Sequence, residues 1–307
     1  MGLVTGKEIL DRADKEGYAV GAFNINNMEI LQAIVNAAKS ENSPVMIAVS
    51  EGAIKYAGID YLTSMVKTAA ESTDIPIALH LDHGKDFKVI LSCIRYGFTS
   101  LMIDASSLPF EENVAETKKV VEVAHPLGIS VEAELGRLQG VEDNVSVAER
   151  DAILINPKEA KLFVEKTGVD SLAPAIGTSH GAFKFKGKAE LDFERLKETK
   201  KLTKIPLVLH GASSVPKDIL DRAAKYGAKI PGAKGVPTGQ IKKAIGNGIN
   251  KVNIDTDLRL TLTGAIREVF YESPEQFDPR KILGPARDSM SDVVRKKMKL
   301  LDSSGKA

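Results

Sequence analysis

Five histidines occur in the 307-residue chain, and three of them, His83, His180 and His210, stand at or just past the ends of apolar, β-rich runs. Neutral imidazole is a common zinc ligand, and three protein ligands leave a position open for substrate or water. Carboxylates are interleaved with these histidines: Asp82 beside His83, Asp104 at the end of the next run, and Glu132 and Glu134 at the end of the one after. The densest stretch is IPIALHLDHG, Ile75 to Gly84. Side chains alternate along a strand, so His80 and Asp82 share one face and His83 lies just beyond. Burying such groups costs several kcal/mol unless they are paired, hydrogen-bonded or metal-bound. One histidine alone reads as an ordinary polar loop residue. Three at corresponding positions among carboxylates read as a metal centre. Asp82 is then a candidate general acid or base, unless it only orients a neighbouring histidine. Asp104 and Glu134 are candidates for a second metal or a displaced position of the first, with plain hydrogen-bonded carboxylates as the alternative. His80, deeper on the strand, reads as hydrogen-bonded support, and His125, before Pro126 at a helix end, as a surface residue.

The elements that must position these groups repeat along the chain. Apolar runs are Tyr18 to Asn24, Pro44 to Ser50, Ile75 to Gly84, Thr99 to Ala105, Ile129 to Gly136, Asp170 to Gly177, IPLVLHGAS and INKVNID. Helical patterns follow them, the first with an apolar stripe at Met28, Leu31, Ile34 and Val35. Others cover about Asp60 to Ala70, Asp86 to Arg95, Glu111 to Ala124, a helix opening at Pro157, Phe193 to Leu202, Pro216 to Tyr226 and a short Gly239 to Gly246. Helices from about Asp257 to Glu272 and Pro285 to Leu301 close the chain. Eight strand–helix alternations predict a single (β/α)8 barrel over 1–307, with an open doubly wound sheet as the runner-up. The C-terminal helices, about 274–307, exceed what a barrel needs and read as an arm for dimer contact or as a solvated helix.

Barrel enzymes build their sites where the strands end, and here polar groups collect at every strand end. Asn24, Ser50, Asn253 and Asp255 join the histidines and carboxylates. Gly181, the turn Gly211, Ala212, Ser213, and the segment Asn253, Ile254, Asp255, Thr256 follow the last three runs, and the loops after the seventh and eighth are where barrels place phosphate sites. Two long connections, Arg137 to Asn156 with Glu142 and Gly177 to Lys188 with Lys184, read as lids over a ligand or as surface loops. No strand end carries lysine, and Lys251 reads as lying toward the opposite face, so the pattern favours a Lewis-acid metal over a Schiff base.

Composition narrows the function classes. Lys+Arg (42) and Asp+Glu (41) nearly cancel, which argues against nucleic acid or an anionic membrane as partner. The single cysteine, Cys93, excludes an internal disulfide framework and suits a reducing compartment. The N-terminal MGLVTGKEIL has no long apolar segment, and no run reaches the roughly 18 residues of a membrane span. A cytoplasmic protein is expected.

The motifs GAFN, SEGAIKY, HLDHG, DASSLPFEEN, VEAELG, APAIGTSHG, LVLHGAS and KVNIDTDLR, in this order from end to end, resemble those of class II, zinc-dependent fructose-bisphosphate aldolases. The resemblance implies His83, His180 and His210 as ligands of a catalytic Zn2+, with Asp104 and Glu134 serving a second divalent ion; a monovalent cation is a further candidate. It implies Asp82 as the proton carrier at the aldehyde-derived oxygen and Glu142 as the group exchanging a proton at the ketone-side carbon. Gly181, Gly211 to Ser213 and Asn253 to Thr256 would hold the dihydroxyacetone phosphate half, and Asn24 and Ser50 would also contact substrate, Ser50 at the glyceraldehyde phosphate half. Lys184 is a further phosphate candidate, and Arg280 would reach the far phosphate of a neighbouring subunit in a homodimer or homotetramer. Ile254 stands where relatives often carry a smaller residue. Tagatose-bisphosphate aldolases share these motifs and differ in substrate at one stereocentre. A non-catalytic sugar-phosphate sensor and a metal-dependent hydrolase or epimerase are the competing classes.

Overall fold

The computed structural model describes residues 2–136, 139–142, 145–147, 154–177, 179–180, 191–230 and 235–307, and for 139–142, 145–147 and 179–180 it describes the backbone. The strands are β1 (Val20–Asn24), β2 (Val45–Ser50), β3 (Ile77–Gly84), β4 (Ser100–Ile103), β5 (Ser130–Leu135), β6 (Gln139–Glu142), β7 (Val145–Val147), β8 (Ser171–Pro174), β9 (Ser179–His180), β10 (Leu207–Leu209) and β11 (Ile249–Ile254). Eight of them close into a barrel in the order β1-β11-β10-β8-β5-β4-β3-β2. Closure excludes the open sheet. Neighbouring barrel strands run parallel, as β1 with β2 and β10 with β11. That arrangement buries both strand faces, which is why the runs are nearly continuous in apolar residues.

The helices are α1 (Gly6–Glu16), α2 (Met28–Glu41), α3 (Glu51–Ala57), α4 (Ile59–Glu71), α5 (Phe87–Tyr96), α6 (Phe110–Ala124), α7 (Pro157–Thr167), α8 (Phe193–Thr203), α9 (Lys217–Lys225), α10 (Thr238–Ile245), α11 (Thr256–Glu272) and α12 (Pro279–Leu300). Outward-facing strand residues such as Ile47, Leu79, Leu101, Val131 and Ile254 pack with the helices in one large apolar core. A smaller inner core joins Ile9, Leu10 and Ala13 of α1 to Tyr18, Val20, Ala22, Met46 and Ala78. So α1 plugs the barrel floor. A Cβ on its Gly6 would come within 2.6 Å of Ser100 Oγ and 2.9 Å of Ser130 Oγ.

Four features depart from the sequence reading. Helix α1 begins at a capping box, in which Glu8 N–H donates to Thr5 Oγ1 and Thr5 N–H donates to the Glu8 carboxylate. Helix α3 intervenes after β2 because Ser50 caps it, its hydroxyl accepting from Ala53 N at 3.2 Å. Helix α12 starts at Pro279 rather than Pro285: Asp278 accepts from Arg280 N at 2.9 Å, and proline at the first helical position forfeits no hydrogen bond. It buries Met290, Val294 and Met298 against this chain's own core, largely along α2 and α11. Finally, the two long connections contain a small sheet in the order β7-β6-β9.

Candidate active site

The HLDHG stretch departs from regular alternation where the chemistry begins. The pairing of β3 with β4 shifts register between Leu81 and Gly84, and His83 sits at φ +48°. Left-handed backbone is uncommon for a side chain larger than glycine, and bulges of this kind re-aim side chains beside active sites. Here the bulge brings His83 round to the mouth together with Asp82. Gly84 must be glycine, because a Cβ would lie 2.6 Å from Leu81 Cδ2 and 2.7 Å from the Met102 carbonyl oxygen.

Candidate ligand atoms of Asp82, His83 and His210 lie within 4.8 Å of one another, as do those of His83, Asp104 and Glu134. The rings of His83 and His210 meet edge to face at 4.7 Å between centroids. Each is held by a carboxylate: His83 Nδ1 lies 3.0 Å from Asp104 Oδ2, and His210 Nε2 lies 2.8 Å from Glu132 Oε1. A carboxylate accepts a ring N–H, so the lone pairs of the neutral rings fall on His83 Nε2 and His210 Nδ1. Carboxylate-anchored imidazoles are the usual arrangement of metal-ligating histidines. Burial disfavours a charged His83, yet Asp82, the Asp104 hydrogen bond and Glu134 hold its pKa well above the ordinary value. Such a surplus of negative charge around an imidazole fits a divalent cation, which would displace the proton. Burial would raise the Asp104 carboxyl, but His83 and Ser106 hold it well below the usual range. Burial lowers His210 despite Glu132 and so keeps that ring neutral, the form a metal needs.

Asp82 is clamped from two sides. Asn24 Nδ2 donates to Oδ2 at 2.8 Å and Asn253 Nδ2 donates to Oδ1 at 2.9 Å. The other amide atoms, Asn24 Oδ1 and Asn253 Oδ1, are buried and accept no hydrogen bond among the described residues. Buried acceptors of this kind call for a donor, which a ligand hydroxyl could supply.

A polar layer lies beneath the mouth and corrects the reading of Lys251. This lysine is not at the opposite face; it is 0% exposed inside the barrel, 2.7 Å from Glu132 Oε2 and 3.0 Å from His80 Nε2. His80 Nδ1 continues to Ser100 Oγ at 2.8 Å. A chain of hydrogen bonds therefore runs Ser100–His80–Lys251–Glu132–His210. Burial would raise Glu132, but Lys251, with His210 and His80, holds it well below the usual range. Its ion pair with Glu132 commits the Lys251 side chain beneath the mouth, and the lysine that does follow a strand end, Lys85, is partly exposed with Nζ 3.9 Å from Asp104 Oδ2.

The family follows from comparison with known proteins. The model of "Fructose-bisphosphate aldolase class-II" matches residues 4–306. The chain belongs to this family. It is 56% identical to a fructose-bisphosphate aldolase of Helicobacter pylori over 305 residues, covering 99% of each chain. With the aldolase of Thermus caldophilus it shares 54% over 305 residues, 99% of this chain and 100% of the other. Among solved structures, the YdjI aldolase of Escherichia coli K12 superposes with a TM-score of 0.83 at 33% identity, over 99% of both chains. Aldolases of this class are metal-dependent lyases.

In this aldolase the loops after β10 and β11 touch, with Asp255 N donating to Ser213 Oγ at 3.4 Å, and Thr256 opens α11. Gly211 turns at φ +60° and Ala212 is buried. The Ile254 side chain lies in the outer core, so only its backbone can serve the mouth. Ser50 reaches the mouth opposite Asp82 in the β2–β3 register. Glu142 lies on β6, whose pairing with β9 sets Gly140 opposite His180; the side chains of both fall outside the described residues, as do Gly181 and Lys184. Arg280 is not brought to the mouth by this chain: its side chain is 89% exposed and paired with Asp278. His125 makes a 2.9 Å contact with Asp170 at the edge of the barrel floor. Burial pushes the Cys93 thiol up to about 12, so it is no nucleophile. Sequence reasoning missed the joint role of Asn24 and Asn253 on Asp82 and the support that Glu132 gives His210. The inward period-two spacing of Glu132 with Glu134 was the available signal for the latter.

Proposed function

We propose that this aldolase reversibly cleaves fructose 1,6-bisphosphate to dihydroxyacetone phosphate and glyceraldehyde 3-phosphate. The observation that carries the reading is the pair of carboxylate-anchored imidazoles, His83 and His210, beside an Asp82 held by two amides. His83, His210 and His180 would hold the catalytic ion, zinc in our reading, and Asp104 with Glu134 would hold a second divalent ion or an alternate position of the first. When bound, the ion supplies Lewis-acid polarisation of the ketone and stabilises the charge that develops as the C3–C4 bond breaks.

The remaining work falls to the chain. Asp82 takes the proton from the C4 hydroxyl in cleavage and returns it in condensation. The amides of Asn24 and Asn253 keep its carboxylate aimed, and their free carbonyl oxygens accept substrate hydroxyls. Glu142 protonates the ketone-side carbon. Gly181, the Gly211–Ser213 turn and Asn253–Thr256 bind the phosphate of the dihydroxyacetone half, with Lys184 as a further cation. Ser50 contacts the glyceraldehyde half. Arg280 would complete the far phosphate site from a second copy, in a homodimer or homotetramer built from single barrels spanning 1–307 with the 274–307 arm. Cytoplasmic placement fits a soluble sugar-phosphate substrate, and among the described residues no helix is long and apolar enough to cross a membrane.

The test is a coupled assay of triose phosphate release from fructose and tagatose bisphosphates in parallel, before and after chelation. Fructose bisphosphate should be preferred, EDTA should abolish release, zinc should restore it, and borohydride with substrate should have no effect. Activity after complete removal of metal would refute the metal reading, and faster tagatose cleavage would reassign the substrate.

A further inference from the structure

Among the described residues, the most deeply buried ion pair outside the barrel interior joins Lys297, near the end of α12, to Asp257, in the first turn of α11. Asp257 is fully buried and Lys297 is 5% exposed. Lys297 Nζ lies 2.5 Å from Asp257 Oδ2 and 2.5 Å from Ser214 Oγ. The Asp257 carboxylate also accepts two consecutive backbone donors, Val215 N–H on Oδ1 at 2.7 Å and Ser214 N–H on Oδ2 at 3.2 Å. All four groups close around the segment that directly follows the Gly211–Ser213 turn.

That segment does not hold its shape unaided. Val215 sits at φ +45°, a left-handed conformation that is a genuine outlier for a β-branched residue. Strained backbone persists where its surroundings over-determine it. Here Val236 N–H also donates to the Ser213 carbonyl at 3.2 Å, and Gly235 packs so closely that a Cβ would lie 2.1 Å from that oxygen. A buried ion pair is weak evidence for stability, since an apolar pair of the same volume often serves as well. An apolar pair cannot accept two adjacent N–H groups. A carboxylate can, and once buried it needs a cation.

We infer that Asp257 and Lys297 are positioning residues for the phosphate-bearing end of the substrate. They lock Ser214 and Val215 so that the Gly211–Ser213 turn stays in register with Asp255 and Thr256 at the start of α11. The C-terminal helix thereby sets phosphate affinity without touching substrate. This rests on the reading that the turn binds a phosphate, so the experiment separates the two.

Metal-loaded enzyme carrying Lys297→Met, Asp257→Asn, Ser214→Ala or Ser213→Ala is assayed for KM and kcat with fructose bisphosphate. Competitive inhibition by inorganic phosphate, metal content and the thermal midpoint are measured on the same samples. Lys297→Met and Asp257→Asn should each raise KM and weaken phosphate inhibition about fivefold to tenfold, with kcat within about twofold and metal content unchanged. Ser214→Ala removes one contact from a half-buried hydroxyl and should show a smaller effect of the same kind, which keeps the test intact if a charge variant fails to fold. The combined Lys297→Met/Asp257→Asn effect should fall short of the product of the single effects, because both act on one loop. A raised KM in Ser213→Ala with wild-type KM and phosphate inhibition in the Lys297, Asp257 and Ser214 variants overturns the positioning role alone. Wild-type values in all four, Ser213→Ala included, overturn the phosphate reading of the turn itself.

Discussion

Replacing Lys251 by methionine removes one charge from the interior of the barrel and keeps nearly the same length. Glu132 would remain buried, with Oε1 on His210 and Oε2 deprived of its 2.7 Å partner. Removing one member of a buried pair costs about 3–5 kcal/mol, because the other charge is left uncompensated. At roughly 2 °C per kcal/mol for a chain of this size, the thermal midpoint of the metal-free protein should fall by about 6–10 °C. Alternatively Glu132 takes up a proton, since Lys251 is the largest single influence holding its pKa down against burial. Protonated Glu132 no longer obliges His210 to carry its hydrogen on Nε2, and the ring loses its preference for offering Nδ1 to a metal. Loss of such support typically costs about 10–100-fold in metal affinity. Both outcomes are measurable on one variant, by thermal unfolding without metal and by chelator-competition titration of zinc. The double variant Lys251→Met/Glu132→Gln, with neither charge present, should regain most of the lost midpoint. A wild-type midpoint and wild-type zinc affinity in Lys251→Met would refute the coupling, as would a double variant no more stable than the single one.

Further expectations follow from the same geometry. Burial and the Lys251 ammonium push His80 down to about 3 from 6.5, so the unfolded chain binds the extra proton. Its contribution to stability is complete above about pH 6.5 and declines as the pH falls toward the folded value, by up to about 1.4 kcal/mol per unit. A urea-midpoint profile of His80→Asn between about pH 4 and 6.5 should be flatter than wild type; identical slopes would remove His80 as the cause. Gly84→Ala forces a Cβ against Leu81 and the Met102 carbonyl, and overpacking of this kind costs about 1–3 kcal/mol. It should also weaken zinc binding by displacing His83, an effect that isothermal titration would detect or exclude. Asp82→Asn should lower turnover about 10²–10⁴-fold with metal content unchanged; loss of metal instead would make Asp82 a ligand rather than the proton carrier.

What the sequence disclosed depended on how local the cause was. The barrel is legible because period-two and period-3.6 patterns alternate eight times, and the strand ends are then fixed by counting. His83 and Asp82 are legible for the same reason. The bulge that turns His83 to the mouth beside Asp82 is not, because it arises from the register between β3 and β4. Lys251 was misplaced because distance from a strand end was read as distance from the site. Inside a barrel, one residue pair below the mouth is still interior, and a charge there finds partners on strands far away in sequence. The grip of Lys297 on Ser214 and Asp257 likewise spans elements with no shared periodicity. Helix α1 was within reach, since Thr5 and Glu8 before Ile9 and Leu10 form a capping-box pattern.

The interior is graded from apolar floor to charged mouth, and the gradient bears on substrate binding as well as on bond cleavage. Ile9, Leu10 and Val20 fill the floor. In the layer above, Lys251 neutralises Glu132. At the mouth, among the described residues, Asp82, Asp104 and Glu134 stand against His83 and the partly exposed Lys85, whose Nζ lies 3.9 Å from Asp104. A bisphosphate is itself strongly anionic, and like charges brought together in a partly buried cleft repel more strongly than in water. A cation at His83 and His210 would therefore be needed for the sugar to settle, before any proton moves. The metal-free aldolase should then bind dihydroxyacetone phosphate at least tenfold more weakly than the zinc-loaded form, about 1.4 kcal/mol, measured by calorimetry where no bond is broken. Lowering the charge with Asp104→Asn should recover part of that loss in the metal-free protein only. Equal affinity with and without metal would mean that the phosphate loops carry binding alone and that the ion acts solely on the reacting carbons.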